Sequence, residues 1–227
     1  MKTENKTSRV LGIAFLLQFV TSLFSGTVLR QAWLVPGNIS ETMLKVANKP
    51  WLMQATILVD MLTALGIIFL GVVLYLTLRD QNEKMALVAL GFYILEAGLL
   101  AISRIAAFAF IGISQEFAAA GSSANLLSMG NLALKSMDFG GSTLHMLTFC
   151  LGGILFYYLL DKARIVPRFL SLWGLVTVFP MLIATISELF GTVLPIYFYI
   201  LYVPFELVIA IWILAKGIKE NPKTVEN

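Results

Sequence analysis

The sequence has little charge and almost no cysteine or histidine. Of its 227 residues, 13% are charged and 59% are hydrophobic, against about 25% and about 45–50% in an average soluble domain. These polar side chains are too few to cover the surface of a soluble globular protein of 227 residues. We therefore expect the chain to be surrounded by a lipid bilayer. The single cysteine, Cys150, excludes an internal disulfide and a cysteine-cluster metal site. Its apolar neighbours indicate a packing residue.

Several functional motifs are also missing. There is no HExxH pair, GxSxG elbow, glycine-rich phosphate loop or dinucleotide fingerprint. The sequence therefore predicts no cofactor, no resident metal and no catalytic residue, and it disfavours an enzyme. The net charge of +3 does not indicate nucleic-acid binding, because the basic residues flank apolar segments.

Six apolar segments are long enough to cross about 30 Å of hydrocarbon, which takes roughly 20 residues. We therefore predict an all-α integral membrane bundle of six transmembrane helices, forming a single domain. The first segment is too long for the apolar region of a signal peptide, and no small-residue cleavage pattern follows it, so we expect it to be retained. The segments comprise residues 10–29, 51–78, 85–113, 139–160, 169–190 and 193–215.

The distribution of lysine and arginine predicts the orientation, since cytoplasmic ends carry an excess of these residues. With a cytoplasmic N-terminus, eleven fall inside and four outside, so we expect both termini to be cytoplasmic. The inner residues are Lys2, Lys6, Arg9, Arg79, Lys84, Lys162, Arg164, Arg168, Lys216, Lys219 and Lys223, and the outer ones are Arg30, Lys45, Lys49 and Lys135.

Two loops on the predicted outer side are long. The first contains SETMLKVAN, which predicts a short helix capped by Ser40, and Pro50 then suits the first turn of the second span. The second loop, residues 114–137, is almost uncharged; its composition fits a helix at the membrane interface or over the mouth of the bundle, and equally a mobile loop. Trp33, near a predicted boundary, is expected to be an interfacial anchor.

The third span carries two charges within YILEAGLLAISRIAAF. Its eleven Leu, Ile, Phe and Val residues from Leu87 to Phe108 favour insertion by roughly 3–7 kcal/mol, whereas Glu96 and Arg104 together oppose it by up to roughly 5–7 kcal/mol. The two charges lie about 12 Å apart along the helix, too far for a direct ion pair. The span therefore needs polar partners from other helices.

The second span offers a partner for Arg104. Folding the chain back about residues 81–82 places Asp60 opposite Arg104, both about 12–13 Å below the outer boundary. An aspartate–arginine pair keeps both side chains charged at a tolerable cost. We therefore predict an ion pair between Asp60 and Arg104, with Thr56 and Thr63 on the same helical face.

Other polar side chains repeat with helical spacing and predict a polar interior biased toward the outer leaflet. His145, the only histidine, falls in the layer of Asp60 and Arg104, while Glu96 and Glu206 lie deeper, at about 18–24 Å. The other members of these faces are Gln18, Thr21, Ser22 and Ser25 in the first span, Asp138, Ser142 and Thr148 in the fourth, and Tyr199 and Tyr202 in the sixth.

These candidate site residues, Asp60, Glu96, Arg104, His145 and Glu206, have structural as well as functional interpretations. The ion pair could dock helices or clamp a substrate, and His145 could pack or titrate. Both glutamates must either be protonated or face water or a bound cation. Together the acidic residues and His145 could form a carboxylate-rich site for a hard cation, although the metal-binding motifs are missing. The order Asp138, Ser142, His145 resembles a catalytic triad only superficially.

The C-terminal run VPFELVIAIWILAKG is similar to the closing signature of a family of bacterial six-span proteins, domain of unknown function 4386. The resemblance rests on Pro204, Glu206, Leu207, Trp212, Lys216 and Gly217, on Arg9 and Gly12 in SRVLGIAFL, and on the Glu96–Arg104 pattern. It covers the whole chain and implies a bacterial cytoplasmic-membrane location. It carries over no catalytic residues.

Two functional hypotheses follow. The first is a small transporter or permease-like protein with an outward-facing polar pocket for a small solute, proton or cation. The second is a non-catalytic membrane protein that senses or assembles with partners and uses its charges to dock helices. An intramembrane enzyme is a distant third. The substrate and the oligomeric state are beyond the sequence.

Overall fold

The computed structural model describes residues 2–121 and 123–219, with side chains from residue 8 onward. This part of the chain is helical and contains no strand, which confirms the all-α fold. The elements are α1 (Lys2–Leu23), a π-helical segment (Phe24–Leu29), α2 (Arg30–Trp33), α3 (Ile39–Asn48), α4 (Pro50–Leu78), α5 (Glu83–Ala119), α6 (Ala124–Asp138), a second π-helical segment (Phe139–Leu144), α7 (His145–Ala163), α8 (Arg168–Leu189), α9 (Tyr197–Ile200) and α10 (Val203–Lys216).

Six helical stretches of the described residues are long and apolar enough to cross a membrane, in agreement with the predicted number. They are Ser8–Trp33, Pro50–Leu78, Glu83–Ala119, Ala124–Ala163, Arg168–Leu189 and Tyr197–Lys216. The fourth is longer than the predicted segment 139–160, because α6 continues through the second π-helical segment into α7. The cytoplasmic position of both termini stays a prediction.

Backbone contacts divide the chain into two compact units. The first unit contains the described residues up to Phe19, Leu65–Ala97 and the described residues from Met146 onward. The second unit contains Val20–Ala64 and Gly98–His145. That the chain forms a single domain stays a prediction.

The sixth span begins at Tyr197 rather than at the predicted residue 193, and it is interrupted between α9 and α10. Residues 192–195 are not helical, α9 is a single turn, and the longer helix α10 begins only at Val203. Proline explains the interruption, because it lacks a backbone N–H and clashes with the preceding helical turn. Pro204 therefore lies in the first turn of α10, where no intrahelical partner is lost.

The short helix predicted after the first span is present, but its cap is a different residue. Asn38, not Ser40, precedes α3, and its side-chain Oδ1 accepts a hydrogen bond from the Glu41 amide at 3.0 Å. Asparagine is among the best N-cap residues because its short side chain reaches the unpaired amides of the first turn. The prediction of Ser40 as the cap was wrong by two positions.

We expect Asn38→Ala to lower the free energy of unfolding by about 1 kcal/mol, because the first turn of α3 loses its cap. The control is Ser40→Ala, which alters a residue inside the helix and should change stability by less than about 0.5 kcal/mol. Unfolding of both purified variants in the same detergent provides the comparison. Equal losses would mean that Asn38 is not the cap.

The core of the second unit lies between the predicted outer loops and the spans. Trp33 is fully buried there, together with Met43, Phe110, Phe117 and Met137. Its expected position as an interfacial anchor is therefore wrong: its indole nitrogen donates to Thr56 Oγ1 at 3.1 Å. Of the loop predicted as either helical or mobile, residues 114–119 continue α5 and residues 124–137 belong to α6, which packs against α3 within this unit.

Candidate functional site

The predicted ion pair between Asp60 and Arg104 is present in the second unit. Nη1 of Arg104 lies 2.6 Å from Oδ2 of Asp60, and both side chains are buried. The short connection between α4 and α5 makes the helices antiparallel neighbours, which places residues equidistant from the turn at similar depth. The pairing follows from that geometry.

Two serines complete the contacts of this pair. Ser25 donates from Oγ to Oδ1 of Asp60 at 2.5 Å. On the other side, Oγ of Ser103 accepts from Nε and Nη2 of Arg104 at 3.0 and 2.8 Å and donates to the Leu100 carbonyl at 2.6 Å. Each charged group is therefore held by its counter-ion and by a hydroxyl, as an ion pair in a low-dielectric environment requires.

A second ion pair, between Arg30 and Asp138, was missed by the sequence analysis. Nη1 and Nη2 of Arg30 contact Oδ1 and Oδ2 of Asp138 at 2.8 and 2.9 Å, a bidentate arrangement of partly exposed side chains. Arg30 also lies over the ring of Trp33 at 5.6 Å. The sequence did contain a signal for this pair, namely one basic and one acidic residue at the ends of two spans. However, comparing their depths assumes regular helices, and the second π-helical segment breaks that regularity.

Both π-helical segments adjoin this second ion pair. Phe24–Leu29 ends where Arg30 begins, and Phe139–Leu144 begins directly after Asp138. A π-helical turn contains an additional residue and redirects the side chains that follow it, and such turns occur frequently at functional sites. Here they bring Ser25 and Ser142 to the same cavity as Arg30.

The second unit contains a polar cavity of about 230 Å³. The predicted residues Asp60, Arg104 and His145 line it together, which groups three of the five candidates. Ser142 and Ser22, at its edge, are exposed, whereas Asp60, Thr56 and Thr63 are buried. The complete lining is Ser22, Ser25, Gly26, Arg30, Trp33, Thr56, Asp60, Thr63, Leu100, Arg104, Gly141, Ser142 and His145.

Gly141 allows the guanidinium of Arg104 to occupy its position. A Cβ atom at residue 141 would overlap Nη2 of Arg104 and lie 2.6 Å from Oγ of Ser103. The neighbouring Gly140 approaches Ser103 in the same way, with its Cβ position 3.0 Å from that of Ser103. The two glycines of the fourth span therefore make room for the Arg104–Ser103 contacts.

The catalytic and metal-binding arrangements considered above gain no support from the geometry. Asp138 is bound to Arg30 rather than oriented toward Ser142 or His145. Among the described residues, no group of three or more His, Cys, Asp and Glu side chains could hold a metal ion.

The other two candidates, Glu96 and Glu206, belong to the first unit. Glu96 is 1% exposed and Glu206 is half-buried. Tyr202 donates its hydroxyl hydrogen to Oε1 of Glu206 at 3.1 Å, and the hydroxyl groups of Tyr157 and Tyr202 are hydrogen-bonded. The sequence places Tyr202 and Glu206 on one helical face, but it does not indicate Tyr157, which has no polar neighbour at helical spacing within the predicted fourth segment.

Aromatic rings surround this group of side chains. Tyr93 and Phe156 meet edge to face with their centroids 5.0 Å apart, and Phe149 meets Tyr202 in the same way at 5.1 Å. Gly152 permits this packing, because a Cβ there would lie 2.7 Å from Cδ2 of Tyr93. The first unit therefore holds its carboxyl groups in a tightly packed aromatic environment.

The fold defines the class: an all-α protein whose described residues form six helices long and apolar enough to span a membrane. Residues 10–217 match the family described as a domain of unknown function (DUF4386), and the chain belongs to that family. This confirms the resemblance noted from the terminal motifs. No match to the chain is found among curated proteins or among solved structures.

Proposed function

We propose that the chain is a small permease-like protein of a bacterial cytoplasmic membrane, whose cavity in the second unit admits a small polar solute from the outer side. The observation that carries the proposal is a polar cavity lined by Asp60, Arg104 and Arg30 within apolar helices. Ionisable residues at such positions are expensive to bury and characteristically face solute pathways. Water or a solute in the cavity would offset that cost.

The size of the cavity limits the solute. Drug-sized ligands occupy pockets of about 300–1,000 Å³, and a volume of about 230 Å³ is smaller than that range. The occupant is therefore a molecule of a few non-hydrogen atoms that forms several hydrogen bonds.

The charges around the cavity indicate the class of solute. Arg104 is paired with Asp60, and Arg30 with Asp138, so positive and negative charges are balanced. A solute with a single net charge would leave one charge of the site without a partner, at a large cost. A neutral or zwitterionic solute, bound through hydroxyl groups such as those of Ser22 and Ser142, fits better.

A second candidate function has its own support. The two ion pairs join different helices, Asp60–Arg104 connecting α4 to α5 and Arg30–Asp138 connecting α2 to α6. This arrangement favours a docking role, in which the charges fix the helices of a protein that senses or assembles with partners. The two functions differ in one measurable property, namely whether water fills the cavity.

Reaction of introduced cysteines with a membrane-impermeant methanethiosulfonate reagent measures that property. Cys150 is buried and is first replaced by alanine. Thr63→Cys and Ser142→Cys then place a thiol at the buried wall and at the edge of the cavity. Ser114→Cys is the matched control, a buried residue with the same hydroxyl-to-carbonyl bond as Thr63, and Ile105→Cys is the control on an exposed apolar face.

We expect both cavity cysteines to react when reagent is added outside intact cells, because water in the cavity ionises the thiol and admits the reagent. The two control cysteines should stay unmodified. Labelling only from the cytoplasmic side would mean that the cavity opens to the cytoplasm, opposite to the proposed orientation. Absence of labelling at both cavity positions from both sides would mean that the cavity is dry, and would favour the docking role.

A further inference from the structure

A chain of hydrogen bonds in the first unit has a defined direction. Tyr202 donates to Oε1 of Glu206. A phenol has only one hydrogen, so in the hydroxyl contact between Tyr157 and Tyr202 the donor must be Tyr157. Hydrogen bonds therefore run from Tyr157 through Tyr202 to the carboxyl group of Glu206.

A third tyrosine adjoins this chain of hydrogen bonds. Tyr93 is 2% exposed, and its hydroxyl interacts with that of Tyr157. It also lies close enough to Glu96 and Glu206 to interact with them electrostatically. Three phenols and two carboxyl groups therefore lie close together in the aromatic environment of the first unit.

The irregular start of the sixth span places Glu206 near a helix N-terminus. Tyr157 and Tyr202 are buried, whereas Glu206 is half-buried in the first turn of α10, with Tyr202 as the N-cap residue. The unpaired amides at a helix N-terminus favour a negative charge nearby. The helix and Tyr202 therefore offset part of the cost of burying the carboxylate.

We propose that Glu206 is a reversible proton-binding site with Tyr202 and Tyr157 as its hydrogen-bonding partners. Binding adds one proton to the Glu206 carboxylate and gives the carboxylic acid; each phenol keeps its own hydrogen. The surrounding ring centroids lie 5.0 to 6.3 Å apart, which is contact packing suited to a proton rather than an organic cation. This site stands independently of the solute cavity in the second unit.

Other titratable groups lie close enough to Glu206 to interact with it electrostatically. They are Tyr202 ahead of α10, Tyr157 on α7, and Tyr93 and Glu96 on α5. No lysine, arginine or histidine in residues 8–121 and 123–219 forms an ion pair with Glu206. Among the described groups, no basic side chain neutralises the Glu206 carboxylate, so a proton is the cation we expect to do so.

Infrared difference spectra of the full chain in lipid vesicles, recorded between alkaline and acidic pH, test the proposal. We expect acidification to produce the carbonyl stretch of a carboxylic acid, and Glu206→Gln to abolish one such band. In Tyr202→Phe the band should remain but move to higher frequency, because the carboxyl oxygen loses its hydrogen-bond donor. Tyr158→Phe, which alters the exposed tyrosine beside Tyr157, is the matched control and should leave the band unchanged.

Two results would overturn the proposal. One is a folded Glu206→Gln variant whose spectra match the unmodified chain at every pH. The other is an unshifted band in Tyr202→Phe, a variant that keeps the ring contacts with Phe149 and Phe205 and so remains informative if Glu206→Gln does not fold. Glu96→Gln is measured in parallel to assign any second band.

Discussion

Asp60→Asn alone and Arg104→Gln alone should each lower the free energy of unfolding by about 3–5 kcal/mol. Each substitution leaves the other member of the pair buried without its counter-ion, and the cost of burying an uncompensated charge far exceeds the loss of one hydrogen bond. Both side chains are at most 10% exposed, so water offers little compensation. Unfolding of the purified variants in mixed detergent measures the effect.

The double variant tests whether the two residues act as a pair. It should recover part of the loss, with a coupling of about 0.5–3 kcal/mol relative to the sum of the single variants. Arg168→Gln is the control, because the Arg168–Asp161 pair is longer, at 3.4 Å, and its arginine is 61% exposed; it should cost no more than about 1 kcal/mol. Strict additivity of the two single effects would contradict the pairing.

Gly141→Ala should destabilise the chain by about 1–3 kcal/mol through overpacking and should also reduce labelling at Thr63→Cys. The new methyl group would occupy the position of Nη2 of Arg104, so the guanidinium must leave its contacts or move into the cavity. Unfolding and cysteine labelling of the variant measure the two consequences separately.

Gly112→Ala is the matched control for that substitution. A Cβ at residue 112, in the interior of α5, meets nothing within 4 Å. Alanine there should stabilise the helix by about 0.5–1 kcal/mol, because glycine loses more backbone entropy on folding. If Gly141→Ala were also stabilising, the close approach of Arg104 to Gly141 would not exist.

Local sequence determined those features that depend on near neighbours along the chain. The Asp60–Arg104 pair was predictable because a short turn makes α4 and α5 antiparallel. Residues at equal distances from the turn along the sequence then lie at equal depth. The face shared by Tyr202 and Glu206 was predictable from helical spacing. The Asn38 cap was missed because asparagine and serine are both good N-cap residues. The two candidates are only two positions apart, and the sequence does not show at which of them the helix begins.

Other features depend on residues distant in sequence or on local departures from regular helix. The Arg30–Asp138 pair joins residues on either side of long loops, and the π-helical segments beside it change the phase that a regular helix would predict. Trp33 was expected at the membrane interface, yet the packing of α3 and α6 within the second unit buries it. Neither the Arg30–Asp138 pair nor the burial of Trp33 produces a periodic pattern in the sequence.

The sequence alone determined the number of helices able to span a membrane and the need of the third span for polar partners. The physical reason is that the free energy of inserting a segment into lipid is nearly a sum over its own residues. The tertiary structure alone decided which side chains meet. It grouped Asp60, Arg104 and His145 at one cavity, and it placed Tyr157 beside Tyr202 and Glu206. Such contacts depend on the rotation and spacing of packed helices, which hydrophobicity constrains only loosely.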